Sequence, residues 1–351
     1  MTKTIGVGPR VGDERVTLKH GAGGRAMRML IEETLAAGFL DGDRPDVLGL
    51  AAFDDGAALP VGERWLIITT DSHVIHPIFF PGGDIGRLAI AGTVNDLAMM
   101  GATEVLGLTS AIVLEEGFLR SNLERIQRSM QETCREAGAK IVAGDTKVMG
   151  RGELDGIIIN TTGVAIADSV VGDAGLSPGD RIVLTGPIGD HGIALMAARR
   201  GLGLEGELRS DVAPINGLIR DALAAGGGAI TAMKDPTRGG LASSLTEMAE
   251  KSGVSITIQE SDVPITPVAR SAAEMLGLDP FHIANEGKAV IGVRAEAADA
   301  VLAAIKSHAL GSDAAIIGTC ADDHPGRLIL DTGFGRRLVT EPEGEPLPRI
   351  C

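Results

Sequence analysis

The chain has 351 residues with a net charge of −15, 44% hydrophobic residues and only 2% aromatic residues. This length predicts two or three domains with real cores, and the negative charge argues against nucleic-acid or membrane partners, since both would repel the protein. Three cysteines are too few for a disulfide scaffold, and with no signal peptide and no apolar run long enough to span a bilayer we expect a cytoplasmic protein.

The first half of the chain alternates strand and helix patterns. A polar extension (1–15) and a glycine-rich loop lead into a helical pattern over 26–37, and we assign residues 1–40 to this N-terminal region. A first α/β domain is expected at 41–168. Its predicted strands are 47–53, 65–70, 105–114, 140–143 (buried) and 157–166, and its predicted helices are 84–101 and 120–137.

A turn signal at 176–180 opens a second α/β domain, which we assign to 169–338. Its predicted strands are 181–185, 229–233, 254–259, 289–293 and 315–319, and its predicted helices are 191–200, 212–225 (capped by Asp211), 237–252 and 297–309. Residues 339–351 are Pro- and Glu-rich, which predicts an extended, flexible tail. The fold class is therefore two α/β domains, each with a mixed sheet covered by helices.

The main functional signal is a set of acidic motifs at or near the ends of apolar runs. Strand ends and helix starts are where α/β folds place ligand groups. Carboxylates brought together repel one another unless a cation neutralises them, and oxygen ligands suit Mg²⁺, which would bridge them to phosphate. One such Asp alone is more often a turn former or a cap, but the set favours a Mg²⁺–phosphate site. Its members are Asp54 and Asp55, Asp71, Asn95 and Asp96, Asp145 with Thr146 and Lys147, and Asp235.

Two glycine-rich stretches could cradle phosphates through backbone N–H groups. They contain His20, Gly21, Gly23 and Gly24 in one case and Thr237, Arg238, Gly239 and Gly240 in the other, each before a predicted helix. Either cluster alone is more often a turn. His73 and His76 have metal-like spacing, but no nearby cysteines complete a zinc site, and a structural role is favoured.

The last residue, Cys351, is the most unusual one. A thiol at a chain end cannot be a core hydrophobe, so it is either an incidental surface group or a reactive thiol on a tether. Arg349 favours the thiolate and the α-carboxylate opposes it, each by about 1 kcal/mol, so special reactivity would need a pocket into which the tail docks. Cys134 and Cys320 are expected to be buried structural thiols.

Together the motifs resemble the aminoimidazole-ribonucleotide synthetase (PurM-like) superfamily of ATP-binding enzymes. The resemblance rests on Phe-Asp-Asp-Gly-Ala (53–57), Thr-Thr-Asp-Ser-His (69–73), Gly-Thr-Val-Asn-Asp-Leu-Ala (92–98), Gly-Asp-Thr-Lys (144–147), Asp-Pro-Thr-Arg-Gly-Gly (235–240) and Asn-Glu-Gly-Lys (285–288). The terminal Pro-Arg-Ile-Cys (348–351) is similar to that of the HypE family, the carbamoyl dehydratases of nickel–iron hydrogenase maturation.

The resemblance implies a reaction and its residues. HypF would place a carbamoyl group on Cys351, ATP would drive its dehydration to a thiocyanate, and the cyano group would pass to iron on a HypC–HypD complex. Asp54, Asp96, Asp145 and Asp235 are assigned to Mg²⁺–ATP, with Asp55 and Asp71 near them. Glu286 is the expected base, and Lys147 is expected to orient the carbamoyl oxygen. A homodimer through the N-terminal sheets is also implied.

Two other functions remain open on the sequence. One is another ATP-dependent kinase or synthetase of the same superfamily that acts on a free metabolite. The other is a non-catalytic scaffold whose terminal cysteine forms a mixed disulfide with a partner.

Overall fold

The computed structural model describes residues 15–21, 23–39, 46–204, 208–340 and 350–351. Two mixed β-sheets with helices packed on them make up the fold, which confirms the predicted class. Residues 1–14 of the predicted extension and residues 341–349 of the predicted tail lie outside the described residues. The predicted helix at 26–37 is present as α1 (Arg25–Leu30) followed by a π-helical turn (Ile31–Leu35).

The first half of the chain builds a five-stranded sheet covered by two helices. The elements are β1 (Ala57–Val61), β2 (Arg64–His73), the short pair β3 (Phe79–Phe80) and β4 (Gly83–Asp84), α2 (Ile85–Met99), β5 (Val105–Glu115), α3 (Arg120–Ala137), β6 (Ile141–Met149) and β7 (Ile157–Ala167). The sheet order is β1-β2-β7-β5-β6, and only β5 and β6 run parallel within it.

The two helices follow from their sequence patterns. α3 presents Ile126, Met130 and Cys134 at four-residue spacing, and this stripe is buried while the opposite face is polar and exposed. α2 is apolar on nearly all sides and is buried on nearly all sides, because it packs against β2, β7, α3 and the second half of the chain. Its N-terminus is capped by Asp84, whose Oδ1 accepts hydrogen bonds from Gly86 N and Arg87 N.

The second half builds a seven-stranded sheet. The elements are β8 (Arg181–Leu184), α4 (Asp190–Arg200), α5 (Asn216–Gly226), β9 (Ile230–Lys234), α6 (Gly240–Ser252), β10 (Ser255–Gln259), α7 (Pro267–Leu276), β11 (Val290–Val293), α8 (Ala298–Ser307), β12 (Ala315–Ala321), β13 (Arg327–Asp331) and β14 (Arg336–Val339). The order is β14-β13-β10-β12-β8-β11-β9, with β10 and β13 the one parallel pair.

Three predicted elements differ from the structure. Residues 47–53 are not a strand: Leu48 forms a single bridge with Ala58, and Leu50–Ala52 is a 3-10 turn. The strand predicted as buried at 140–143 is β6, which is longer and exposed throughout because it lies at a sheet edge. The helix predicted from residue 212 begins at Asn216, and Asp211 does not cap it. The sequence patterns also did not predict β1, β3, β4, α7, β13 and β14.

No helix among the described residues is long and apolar enough to cross a bilayer. Cys134 and Cys320 are buried and form no disulfide, as predicted. Burial, together with the nearby Asp180 carboxylate, raises the pKa of Cys320 to about 12, which keeps this thiol protonated and unreactive.

Candidate functional site

A cavity of about 440 Å³ is lined by acidic side chains from both halves of the chain. It brings together three of the four predicted metal ligands and six of the fifteen other predicted site residues. The predicted residues that line it are Asp54, Asp55, Asp71, Asp96, Asp235, Thr237, Arg238, Glu286 and Cys351.

Regular elements place these carboxylates. Asp71 lies near the end of β2, Asp96 lies on α2, and Asp235 follows the last residue of β9. Thr69 on β2 links two of the groups, because its hydroxyl donates to Asp96 Oδ2 at 2.9 Å and contacts the Asp55 carbonyl oxygen at 2.8 Å. The acidic groups are therefore fixed by the sheet and by the helix that covers it.

Burial and mutual repulsion perturb the acids of this cavity. Burial, with the charges of Asp55 and Asp173, raises the pKa of Asp54 to about 6. Burial, with the charge of Asp55, raises the pKa of Asp235 to about 8. Burial likewise raises the pKa values of Asp96 and Glu286 well above the ordinary range, and repulsion by the charge of Asp235 adds to the rise in both. Such a cluster favours a bound cation.

Two carboxylate oxygens in the cavity also lack hydrogen-bond partners among the residues that the structure describes. These are Asp55 Oδ2 and Glu286 Oε1, both buried. Unpaired buried acceptors are rare because each carries a desolvation penalty of about 1–3 kcal/mol. Together with the raised pKa values, they fit a site that is completed by a ligand rich in positive charge.

A second cavity of about 530 Å³ adjoins the first and shares Asp55, Asp235, Thr237 and Arg238 with it. Gly23 and Gly24 of the predicted glycine loop line this cavity, beside apolar side chains of α1 and the following turn. Gly23 has a φ of +85°, and a Cβ there would collide with Arg238. Glycine is thus required where the loop approaches the Thr237–Arg238 segment.

The two lysines of this second cavity were not predicted from the sequence. Lys234, at the end of β9, places its Nζ 3.1 Å from Asp55 Oδ1, 3.0 Å from Asp173 Oδ2 and 3.4 Å from Glu247 Oε2. Lys251 on α6 adds a contact of 2.7 Å to Asp173 Oδ2. The only signal in the sequence for these two lysines is that they are charged residues within elements that are otherwise mostly buried.

The C-terminus ends inside the first cavity. Cys351 lines it, half-buried, and Val74 N donates to Cys351 O at 3.1 Å. The preceding Ile350 is fully buried, and its carbonyl oxygen lies 2.8 Å from His191 Nε2. Cys351 and Glu286 therefore face one cavity, although Glu286 and the chain end are far apart in sequence.

The motif 145–147 does not reach this cavity within one chain. Asp145, Thr146 and Lys147 lie on β6, at the edge of the sheet and separated from β2 by β5 and β7. Lys147 Nζ contacts Asp145 Oδ2 at 2.7 Å, and this hydrogen bond lowers the pKa of Asp145. Both side chains are exposed.

Asn95 and Asp96 point in different directions, because one step along a helix is a rotation of about 100°. Asp96 faces the cavity, whereas Asn95 donates to Ala213 O at 3.0 Å and accepts from Ile215 N at 2.9 Å. The Asn95 amide thus ties α2 to the segment before α5 and lies off the cavity, and its role in cofactor binding stays a prediction.

Four other predicted ligand-binding residues also lie off the two cavities. His20 and Gly21 end an exposed 3-10 turn, in which the His20 ring bonds to Thr17. Gly239 and Gly240 have positive φ, and a Cβ on either would strike a neighbour, so they serve close packing at the start of α6.

The fold and the cavity define a member of the AIR synthase related class. The model of the AIR synthase related protein N-terminal domain matches residues 53–167, and the C-terminal domain model matches residues 177–331.

Full-length relatives narrow the class. Carbamoyl dehydratase HypE of Rhizobium leguminosarum bv. viciae is 46% identical over 345 residues, covering 97% of this chain and 96% of the relative. The structure of a HypE–HypF complex matches with a TM-score of 0.82 at 44% identity, covering 89% of this chain and 99% of that chain. The structure of HypE in complex with ATP matches with a TM-score of 0.79 at 39% identity, covering 96% and 100%. The chain belongs to the HypE carbamoyl dehydratase family.

Proposed function

We propose that this chain uses ATP to dehydrate a carbamoyl group carried on the Cys351 thiol to a thiocyanate, which supplies the cyano ligand of the nickel–iron hydrogenase iron centre. The observation that carries the proposal is the position of the chain end. Cys351 lines the same cavity as Glu286, Asp96, Asp235 and Arg238. A reactive terminal thiol needs such a pocket, because its own terminus does not activate it.

The chemistry requires ATP because oxide is a very poor leaving group. The thiocarbamate carbonyl oxygen attacks the γ-phosphorus of ATP, and the bond from phosphorus to ADP breaks. The nitrogen then loses both protons while the C–O bond breaks, and a C≡N bond and inorganic phosphate form. The balance is S–CO–NH₂ plus ATP giving S–C≡N, ADP, phosphate and one proton.

Glu286 is the proposed base for the N–H protons. Its carboxyl is buried, has one oxygen without a hydrogen-bond partner among the described residues and lines the same cavity as Cys351. Burial raises the pKa of Glu286, which makes its ionised form a stronger base than an exposed glutamate. Arg238 opposes that rise and favours ionisation.

The nucleotide site is proposed to take Mg²⁺ with ATP. Asp54, Asp96 and Asp235 would hold the ion, and their crowding and raised pKa values support this role. Among the described residues, no three acidic, His or Cys side chains are arranged to enclose a metal by themselves. Phosphate oxygens would therefore share the coordination, and a bound Mg²⁺ supplies neutralisation of the phosphate charge.

A homodimer would explain why Asp145 and Lys147 lie away from the cavity of their own chain. β6 exposes Val142 and Val148, each 67% exposed, beside Asp145 and Lys147. An edge strand with exposed apolar residues is open to pairing with a second copy. We propose that Lys147 orients the carbamoyl oxygen from this interface, at a site completed by a second copy.

The proposed partners follow the family. A relative is structurally known in complex with HypF, so HypF is the proposed donor of the carbamoyl group. The HypC–HypD complex is the proposed acceptor of the cyano group. A reducing cytoplasm is the proposed compartment, because a terminal thiol that carries the substrate must not be oxidised.

Glu286→Gln tests the assigned base. The chain is carbamoylated with HypF and carbamoyl phosphate, ATP is added, and the C-terminal peptide is weighed over time. We expect loss of water to slow by about 10²–10⁴-fold, while Glu296→Gln, an exposed control, keeps the normal rate. Dehydration at the normal rate in Glu286→Gln would remove Glu286 from this role.

The same measurement separates the alternatives. If no adduct forms and a small metabolite drives ATP hydrolysis, the chain is a kinase or synthetase. If there is neither an adduct nor ATP hydrolysis, the scaffold function is favoured.

A further inference from the structure

His191 is the buried polar group that the dehydration chemistry leaves unexplained. It is the second residue of α4, has no exposed surface and is contacted edge-on by the Phe80 ring at 5.6 Å. Both ring nitrogens have partners: Nδ1 lies 2.7 Å from Ser210 Oγ and Nε2 lies 2.8 Å from the Ile350 carbonyl oxygen. A fully satisfied imidazole thus spans from the body of the fold to the chain end.

The partners fix the direction of every hydrogen bond. The Ile350 carbonyl can only accept, so His191 Nε2 carries the hydrogen. Nδ1 of the neutral ring must then accept from the Ser210 hydroxyl, whose oxygen accepts from Val212 N at 3.1 Å. Burial lowers the pKa of His191, in agreement with a neutral ring. The backbone at residue 212 therefore orients a donor that points at the tail.

Two further contacts bind the last two residues. The Ile350 side chain, 1% exposed, packs into the apolar cluster that contains Ile75, Phe80 and Ile193. Val74 N, just after β2, donates to an oxygen of the terminal residue at 3.1 Å. The contacts thus recognise an aliphatic side chain and a carbonyl at position 350, and a backbone oxygen at position 351.

We propose that His191, Ser210, Val74 and the apolar cluster form a receptor that selects an aliphatic residue at position 350 and thereby sets the position 351 thiol in the cavity. The inference rests on the proposed function for its purpose, since it specifies how the carrier of the carbamoyl group is recognised. His191 is a positioning residue that acts through the tail backbone. A shift by one residue would place a different side chain in the apolar cluster.

The receptor shares a backbone segment with the loop of Glu286. Asp211, next to Ser210, accepts at Oδ1 from Glu286 N at 3.0 Å, and Ala213 N donates to Glu286 O at 3.3 Å. Residues 210–213 therefore bind His191, which contacts the tail, through Ser210. They bind the proposed base, Glu286, through Asp211 and Ala213. The same backbone segment therefore positions both the thiol and the proposed base.

Alkylation of Cys351 tests the receptor without ATP or HypF. The full chain is treated with iodoacetamide, and the modified C-terminal peptide is quantified by mass spectrometry. His191→Asn keeps an acceptor for Ser210 but cannot reach Ile350, so alkylation should accelerate about fivefold. His191→Gln offers a donor at the reach of Nε2, and it should return the rate to within about twofold of wild type.

The tail provides a matched pair of variants. Ile350→Ala removes most of the buried side chain and should accelerate alkylation by roughly 50-fold, whereas Ile350→Val should change it by about fourfold. Buried Cys134 and Cys320 report folding in the same digest, because they stay unmodified while the core is intact. If His191→Asn exposes them, the Ile350 pair decides the question.

Either of two results would overturn the receptor. One is wild-type alkylation in folded His191→Asn together with equal rates in Ile350→Ala and Ile350→Val. The other is a wild-type Cys351 that reacts as fast as a free peptide of the same sequence. If the alkylation results match these expectations but the chain never dehydrates a carbamoyl adduct, the receptor proposal stands and the proposed function is refuted.

Discussion

Replacing Lys234 with Met should destabilise the protein through the acidic site. Lys234 Nζ contacts Asp55, Asp173 and Glu247 at 3.0–3.4 Å, and its side chain is 10% exposed. Asp173 keeps its contact with Lys251 at 2.7 Å, but the ammonium that contacts Asp55 is gone. Removing one partner of a buried ion pair costs about 3–5 kcal/mol, so we expect a loss of that size in the free energy of unfolding at neutral pH.

Urea denaturation of the full chain, without nucleotide, measures this loss. The double variant Lys234→Met/Asp55→Asn removes the orphaned charge as well as the ammonium. It should therefore recover about 1–3 kcal/mol relative to the sum of the single variants. The reasoning is refuted if Lys234→Met unfolds within about 1 kcal/mol of wild type and the double variant shows no coupling.

Two other predictions concern pH and assembly. Burial and Asp211 raise the pKa of Asp190 from 3.8 to about 6, so the native state binds this proton more tightly than the unfolded chain and stability falls as pH rises through that window. Asp190→Asn, which can still accept from Thr266, should raise the free energy of unfolding by up to about 3 kcal/mol above pH ~6 and have no effect below pH ~4. In Asp331→Asn the sign should reverse, because hydrogen bonds from Gly333 and Arg336 lower the pKa of Asp331; the same sign in both variants would contradict the argument. Val142→Glu on β6 should convert a homodimer to a monomer in light scattering, and an unchanged mass would place the interface elsewhere.

Patterns of local sequence predicted α2 and α3 closely. The stripe of α3 and the apolar character of α2 gave their bounds to within a residue or two, since helical periodicity is a local property. The short apolar run 47–53 was misassigned as a strand because it has no period that separates a strand from a turn. The exposure of β6 was missed because strand order is decided by pairing with distant β5.

The sequence predicted which acidic residues form the cavity, but it did not predict which neighbouring side chains face it. Asp96 lies on a helix and Asp235 follows a strand that the sequence indicated, whereas Asp54 follows a turn in place of the predicted strand 47–53, and the fold brings all three to one cavity. The placement of Asn95 off the cavity was not predictable, because the sequence does not say which of two adjacent helix residues faces the cavity. The sequence did not indicate a role for the His191 side chain, because its two partners lie 19 and 159 residues away in the chain.

The mass of the C-terminal peptide tests the central claim most directly. After treatment with HypF and carbamoyl phosphate, Cys351 should carry a carbamoyl group, and addition of Mg²⁺–ATP should convert it to a species lighter by one water. Cys351→Ser should give no thiocyanate, while ATP binding and thermal unfolding stay as in wild type. A carbamoyl adduct on Cys351 that persists unchanged in the presence of Mg²⁺–ATP would contradict the account.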